Sequence, residues 1–170
     1  VNGAEDETLY AVELGVHTSW ALAEHRVRGG RSLIPGTGYL EIARAAMAQR
    51  GGERGALELR DVTFLSPFSV PDEGTRELRV HVSGAATPGA RCTLLIAGRG
   101  EGESAGAWEE HVMAKATWMD AGTAPVHDVA ALKARAAGRV EQRDAAWEDP
   151  HLAFGPRWKN VTEIRYGNGE

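Results

Sequence analysis

The segment after Pro35 constrains the fold most, because it carries the strongest helix signal in the first hundred residues. Its apolar side chains recur at helical spacing, at Tyr39, Leu40, Ile42, Ala43, Ala46 and Met47. Thr37 or Gly36 can cap the start of this helix, and the glycine pair at 51–52 can end it. Several alanines along the helix allow other backbone to approach closely. The sequence therefore predicts one packed helix near the start of the chain.

The chain beyond this helix reads mainly as strands separated by turns. Apolar residues cluster at 57–65 and recur in RELRVHVSG, RCTLLIAGRG and AWEEHVMAKATWM. In the last of these runs, one face is predicted to carry Trp108, Glu110, Val112, Ala114 and Ala116. Residues 128–139 favour an Ala-rich helix, and RWKNVTEIRYGNG favours a last strand. This order predicts an α+β fold with antiparallel pairing, in which one sheet wraps around the early helix.

Composition excludes several classes of protein. The 170 residues fit one ordinary domain or a large part of one. Charges of both signs are mixed, with a net charge of −5, which argues against a dedicated nucleic-acid surface. No apolar run approaches the roughly 20 residues that a membrane helix needs. The acidic N-terminus lacks a signal-peptide pattern, and the single Cys92 cannot form an internal disulfide. We therefore expect a cytoplasmic protein.

Of the six histidines, His25 has the surroundings that best suit catalysis. None of the six stands at a metal-binding spacing, so we expect no metal site. His25 precedes a Gly-Gly turn and then a helix start, where unpaired N–H groups can hold a carbonyl oxygen as negative charge develops on it. A neutral imidazole beside such a group can take a proton α to a thioester. The alternative is that His25 only ends a strand and the glycines only turn the chain.

The segment WALAEHRVRGGRSLIPGTGYLEIARAAM resembles the start of the dehydratase domain of modular polyketide synthases. That family opens with a His-x-x-x-Gly-x-x-x-x-Pro motif before a long helix. Counting forward from His25 places the motif glycine at Gly29, whereas counting back from Pro35 places it at Gly30. The corner therefore carries one extra residue. The resemblance implies that Gly30, or alternatively Gly29, donates its amide to the substrate carbonyl, and that Pro35 belongs to the same site.

A second segment, LAFGPRWKNVTEI, resembles the Tyr-Gly-Pro-x-Phe segment of the same family. Here Phe154 stands in place of the tyrosine and Trp158 in place of the phenylalanine, with Gly155 and Pro156 between them. The resemblance implies that Phe154, Gly155 and Pro156 contribute to the substrate site, without the contact that a tyrosine hydroxyl would supply. The WEEHVMAKAT strand also fits the family, and its Trp108 and His111 are interpreted as structural.

The resemblance implies a hot-dog fold, an antiparallel sheet wrapped around a long central helix, as the first half of a double hot dog. Residues 1–150 would form the N-terminal hot-dog subdomain, and residues 151–170 would carry the Phe-Gly-Pro segment toward a second half. In the family that second half supplies an aspartic acid. No acid here, Asp120, Asp128, Asp144 and Asp149 included, stands in that motif, so we expect the acid partner to be absent. A lone first half would expose an apolar flank, and we expect it either to self-associate or to be poorly stable.

The implied activity is that of a lyase. His25 would remove the α-proton of a 3-hydroxyacyl thioester on an acyl carrier protein, and an α,β-unsaturated thioester would result. The expected partners are the acyl carrier protein, other domains of the same megasynthase, the second hot-dog half and a second copy in a homodimer. No cofactor is expected beyond the phosphopantetheine arm of the carrier. The alternatives are a related domain that also closes a pyran ring or shifts the double bond, and a non-catalytic hot-dog scaffold.

Overall fold

The structure is a computed structural model that describes residues 6–51, 55–85, 87, 89–100, 106–120, 122–123, 125–143 and 148–167. The helices are α1 (Trp20–Ala23), α2 (Gly36–Gly51) and α3 (Val129–Arg135), with a 3₁₀ turn at Pro156–Trp158. The strands are β1 (Glu7–Leu14), β2 (His25–Val27), β3 (Ser32–Leu33), β4 (Ala56–Phe64), β5 (Ser69–Val70), β6 (Arg76–Ser83), β7 (Cys92–Arg99), β8 (Trp108–Met119), β9 (Arg139–Gln142), β10 (Leu152–Phe154) and β11 (Glu163–Tyr166).

The strands form three antiparallel sheets, and the largest of them packs against the longest helix. The largest sheet has the order β1-β6-β7-β8-β4, a second has the order β10-β2-β3-β5, and β9 pairs with β11. Helix α2 packs against β6 and β4. One core is shared by the buried face of α2 and by alternate residues of β6 and β7. The helix contributes Tyr39, Ala43 and Met47, and the strands contribute Leu78, Val80, Leu94 and Ile96. This arrangement confirms the predicted α+β hot-dog layout.

Helix α2 begins and ends where the sequence predicted, at Gly36 and Gly51. Its first turn is closed by the Gly38 amide, which donates to the Pro35 carbonyl at 2.8 Å. One turn later the buried Tyr39 hydroxyl accepts the amide proton of Phe68 at 2.9 Å. Burial raises the pKa of this hydroxyl, which keeps it protonated. The helix is therefore fixed to the segment just before β5 by a hydrogen bond within the core.

The predicted common face of β8 is wrong at its first residues. Val112 pairs with Ile96, but Glu110 pairs with Ala97, so His111 is an extra residue in a bulge. Because a bulge reverses the alternation of side chains, Trp108 and Glu110 lie on the opposite side from Val112, Ala114 and Ala116. His111 instead turns inward and is fully buried.

The C-terminal elements are shorter than the sequence predicted. Helix α3 covers only Val129–Arg135, and the chain enters β9 at Arg139. The predicted last strand is confined to Glu163–Tyr166, because Pro156–Trp158 form a 3₁₀ turn. Within the described ranges, no helix has both the length and the apolar character needed to cross a membrane.

The segment beyond residue 150 pairs with a strand from the first part of the chain. Strand β10 lies in the second sheet, where Phe154 pairs with His25. The domain boundary at residue 150 stays a prediction, as does self-association through an apolar flank. Exposed large apolar side chains include Leu9, Phe64, Leu65 and Met113.

Candidate active site

The β2–β3 hairpin carries His25 at its base. Arg26 pairs with Ser32, the Val27 amide donates to Arg31, and the Gly30 amide donates back to Val27 at 2.9 Å. The turn needs glycine at position 29, where φ is +70°. The two glycines of this corner therefore lie at the tip of the hairpin, and His25 stays in regular strand pairing.

The His25 imidazole is oriented by a backbone carbonyl. Its Nδ1 lies 3.0 Å from the carbonyl oxygen of Leu33. A carbonyl oxygen can only accept a hydrogen bond, so Nδ1 donates and carries the proton in the neutral ring. The lone pair of the neutral imidazole then resides on Nε2. The hairpin thus selects the tautomer in which Nε2 is the basic atom.

Aromatic rings surround the half-buried His25. Because β10 pairs with β2, Phe154 lies opposite His25, and their ring centroids are 5.5 Å apart. The Trp158 ring lies 5.4 Å from the His25 ring and 6.1 Å from Trp20. The structure therefore brings His25 and the Phe-Gly-Pro segment together, although His25 and Phe154 are 129 positions apart in the sequence. These rings make one side of the site apolar.

A charged residue directly before His25 joins the two segments. The Glu24 carbonyl accepts the Gly155 amide at 2.9 Å, and the Glu24 carboxylate accepts the Arg157 amide at 2.8 Å. Its other oxygen pairs with the Arg157 guanidinium at 2.6 Å. A Cβ on Gly155 would lie 2.2 Å from Glu24 Cγ, so only glycine lets this side chain pass. The sequence did not identify Glu24 or Arg157 as site residues; an acid directly beside the candidate base was the available signal.

The other predicted site residues lie around this centre. Gly29 and Gly30 are both exposed at the hairpin tip, and the Gly30 amide is already engaged within the turn. A carbonyl-binding role for Gly30 would require the exchange of that bond, and the role of either glycine stays a prediction. Pro35 is buried at the start of α2, and Pro156 begins the 3₁₀ turn.

His111 and Trp108 lie in structural positions. The His111 Nδ1 is 2.8 Å from the Ser66 hydroxyl and 3.1 Å from the Ser66 carbonyl oxygen. Burial lowers the pKa of His111, which favours the neutral ring. Trp108 lies under the Arg79 guanidinium, 3.9 Å from its ring centroid.

Two of the aspartates considered from the sequence stabilise backbone turns. Asp128 accepts the amides of Ala130 and Ala131 at the start of α3. Asp149 accepts the amides of His151 and Leu152, and these bonds lower its pKa. Asp144 lies outside the described residues. Among the residues that the structure describes, no cluster of three or more His, Cys, Asp or Glu side chains could hold a metal ion.

Comparison with known proteins gives one matching family. Residues 1–97 match the model of the family described as "Polyketide synthase dehydratase domain". Among curated proteins, the chain is similar to polyketide synthase GfsB of Streptomyces halstedii, with 29% identity over 174 residues. That alignment covers 98% of the chain but only 3% of the relative's length.

Solved structures share the fold. The dehydratase domain from the CurF module of curacin polyketide synthase matches with a TM-score of 0.79 and 20% identity, over 99% of this chain and 60% of that one. Two forms of the CurK dehydratase, both described as inactive mutants, match with TM-scores of 0.76 and 0.74 at 20% and 17% identity. Each alignment covers 99% of this chain, and 58% or 59% of the CurK chain. The chain therefore spans less than two thirds of each of these solved domains.

Proposed function

Because this chain belongs to the polyketide synthase dehydratase domain family, we propose that it supplies the general base of a dehydratase acting on a 3-hydroxyacyl thioester. The His25 Nε2 takes the proton from the α-carbon while the bond between the β-carbon and its hydroxyl breaks. The hydroxyl departs with a proton from an acid, as water. The electron pair of the α C–H bond forms the double bond, and the product is an α,β-unsaturated thioester.

The observation that carries this proposal is the contact between His25 Nδ1 and the carbonyl oxygen of Leu33, which sets the tautomer of the neutral ring. With Nδ1–H donated to Leu33, the neutral ring presents Nε2 as the basic atom without further rearrangement. The rings of Phe154 and Trp158 place apolar surface along one side of the imidazole, which suits a base that must act on a carbon acid. One of the inactive CurK forms carries a phenylalanine in place of a histidine, which supports an essential histidine in the family.

The acid is proposed to come from outside the residues gathered around His25. Glu24 is the nearest acid in sequence, but its carboxylate holds both the amide and the guanidinium of Arg157. Both of its oxygens are therefore already engaged as hydrogen-bond acceptors within the chain. The other inactive CurK form carries an asparagine in place of an aspartate, and this chain spans 58% of that domain. An aspartic acid from the remaining part of such a domain would complete the pair.

The substrate is proposed to be carried on the phosphopantetheine arm of an acyl carrier protein, with no cofactor bound by the chain itself. Further proposed partners are other domains of a polyketide synthase, a second hot-dog half and a second copy of the chain. The proposal of further domains is supported by the size of a relative, because the chain aligns with only 3% of the length of polyketide synthase GfsB.

The test is a mass-spectrometric assay of the full-length protein with a 3-hydroxyacyl pantetheine thioester bearing a remote hydroxyl. Loss of one water to give the conjugated alkene is the expected result. Later formation of a product of the same mass, separated by chromatography, would add ring closure or alkene migration to the activity. No loss of water from a folded protein would contradict the proposal and favour the scaffold alternative.

A further inference from the structure

The 3₁₀ turn that carries Trp158 has no capping side chain of its own. Gly155 is its N-cap residue and has no side chain, and Pro156 at the first position has no N–H. The first amide that needs an acceptor is therefore that of Arg157. The Glu24 carboxylate supplies this acceptor from a distant part of the chain, at 2.8 Å. In effect Glu24 is the capping residue of the turn.

The same carboxylate lies next to the candidate base. Glu24 precedes His25 directly, and the Glu24 side chain is only 15% exposed. The turn that it caps is closed by the Trp158 amide, which donates to Gly155. It places the Trp158 ring 5.4 Å from the His25 ring. Loss of the cap would therefore loosen the wall against which the imidazole rests.

We propose that Glu24 is a positioning residue for His25, acting through the backbone amide of Arg157 rather than through the exposed ion pair. The cap holds the 3₁₀ turn, the turn holds Trp158, and Trp158 and Phe154 together limit the motion of the imidazole. The kinetic part of this inference rests on the proposed dehydration, but the structural part does not.

The two roles of the carboxylate are separable by substitution. Glu24→Gln keeps an oxygen that can accept the Arg157 amide but removes the charge, and Arg157→Ala removes the guanidinium but keeps the amide. Because the guanidinium side of the pair is 61% exposed, both variants should keep kcat within about 5-fold of the parent. Glu24→Ala removes the cap, and its kcat should fall by about 10- to 100-fold. Its KM should change less than its kcat, because in this proposal Glu24 positions the imidazole and does not bind substrate.

A spectroscopic readout tests the positioning without any turnover. In full-length protein labelled with ¹³C-histidine, the Cε1–H resonance of His25 should be displaced by the ring currents of Phe154 and Trp158. Glu24→Ala should move this resonance toward the position of an exposed histidine, whereas Glu24→Gln should leave it near the parent value. If Glu24→Ala does not fold, Glu24→Asp, whose carboxylate is one methylene short of the amide, takes its place. Glu41→Ala, which removes a surface carboxylate from α2, is the matched control.

An unchanged His25 resonance and unchanged kcat in the folded Glu24→Ala variant would overturn the inference. Equal losses in Glu24→Ala, Glu24→Gln and Arg157→Ala would also overturn it, because they would assign the effect to the ion pair. If the parent protein does not dehydrate the thioester but the resonance moves as expected, the proposed function fails and the positioning role stands.

Discussion

Gly98 on the central strand β7 has no room for a side chain. A Cβ at this position would lie 2.3 and 2.4 Å from two ring carbons of Phe68, and 2.6 Å from His111 Nε2. Both neighbours are 0% exposed, and the Arg76 guanidinium stacks 4.4 Å from the centroid of the Phe68 ring. Strand β7 itself is paired on both edges, with β6 and β8. A Gly98→Ala substitution therefore cannot be relieved by moving a flexible surface group.

The size of the effect follows from two opposing contributions. Overpacking a closed core costs about 1–3 kcal/mol. Replacing glycine with alanine reduces the entropy of the unfolded chain, which returns about 0.4–1 kcal/mol. The three contacts below 3 Å place the overpacking cost in the upper half of its range, so we expect Gly98→Ala to lower the free energy of unfolding by about 1–2.5 kcal/mol. The matched control is Gly51→Ala at the end of α2, where the added Cβ would have no described atom within 4 Å apart from its chain neighbours and the backbone of its own helix.

Urea unfolding followed by circular dichroism measures this difference. Gly98→Ala should unfold at a lower midpoint with an unchanged slope, and Gly51→Ala should match or exceed the parent. A Gly98→Ala variant as stable as the parent would show that Phe68 and His111 can move apart at no cost. The account of a closed core over β7 would then be wrong.

Three further predictions concern single groups. Because burial lowers the pKa of His111, stability should fall as the pH drops from about 6.5 toward its folded pKa, and unfolding of His111→Gln across that range should show a flatter dependence. Gly29→Ala should lower the free energy of unfolding by about 1 kcal/mol in thermal denaturation, because φ at this position is +70°, and Gly29→Asn should lower it by less. Asp128→Ala should destabilise helix α3 by about 1 kcal/mol, and hydrogen exchange of the backbone amides at 130 and 131 should become faster.

Much of the fold was predictable from local patterns, because helical spacing and strand alternation depend on neighbouring residues. Helix α2 was predicted with both ends correct, and the hot-dog layout followed from the order of elements and the resemblance. The face assignment of β8 failed because a bulge at His111 changes parity without any sequence signal such as Gly or Pro. Local patterns also did not show that residues 156–158 would form a 3₁₀ turn.

The candidate site was predictable only in part. His25 was identified from its motif, and the Phe-Gly-Pro segment from a resemblance, and the structure places the two side by side. The Glu24–Arg157 contact joins residues 133 positions apart, and one sequence carries no information on such pairs. The Gly30 amide illustrates the remaining limit, since its turn bond to Val27 depends on how the extra residue of the corner is accommodated.

The most direct test of the central claim is the rate of water loss from a 3-hydroxyacyl pantetheine thioester with His25→Gln in the full-length protein. Removal of a general base should lower kcat by about 10²- to 10⁴-fold while circular dichroism shows an unchanged fold. The control His127→Gln removes an exposed loop histidine and should leave the rate unchanged. A His25→Gln variant that keeps most of the parent rate would contradict the assignment of His25 as the base.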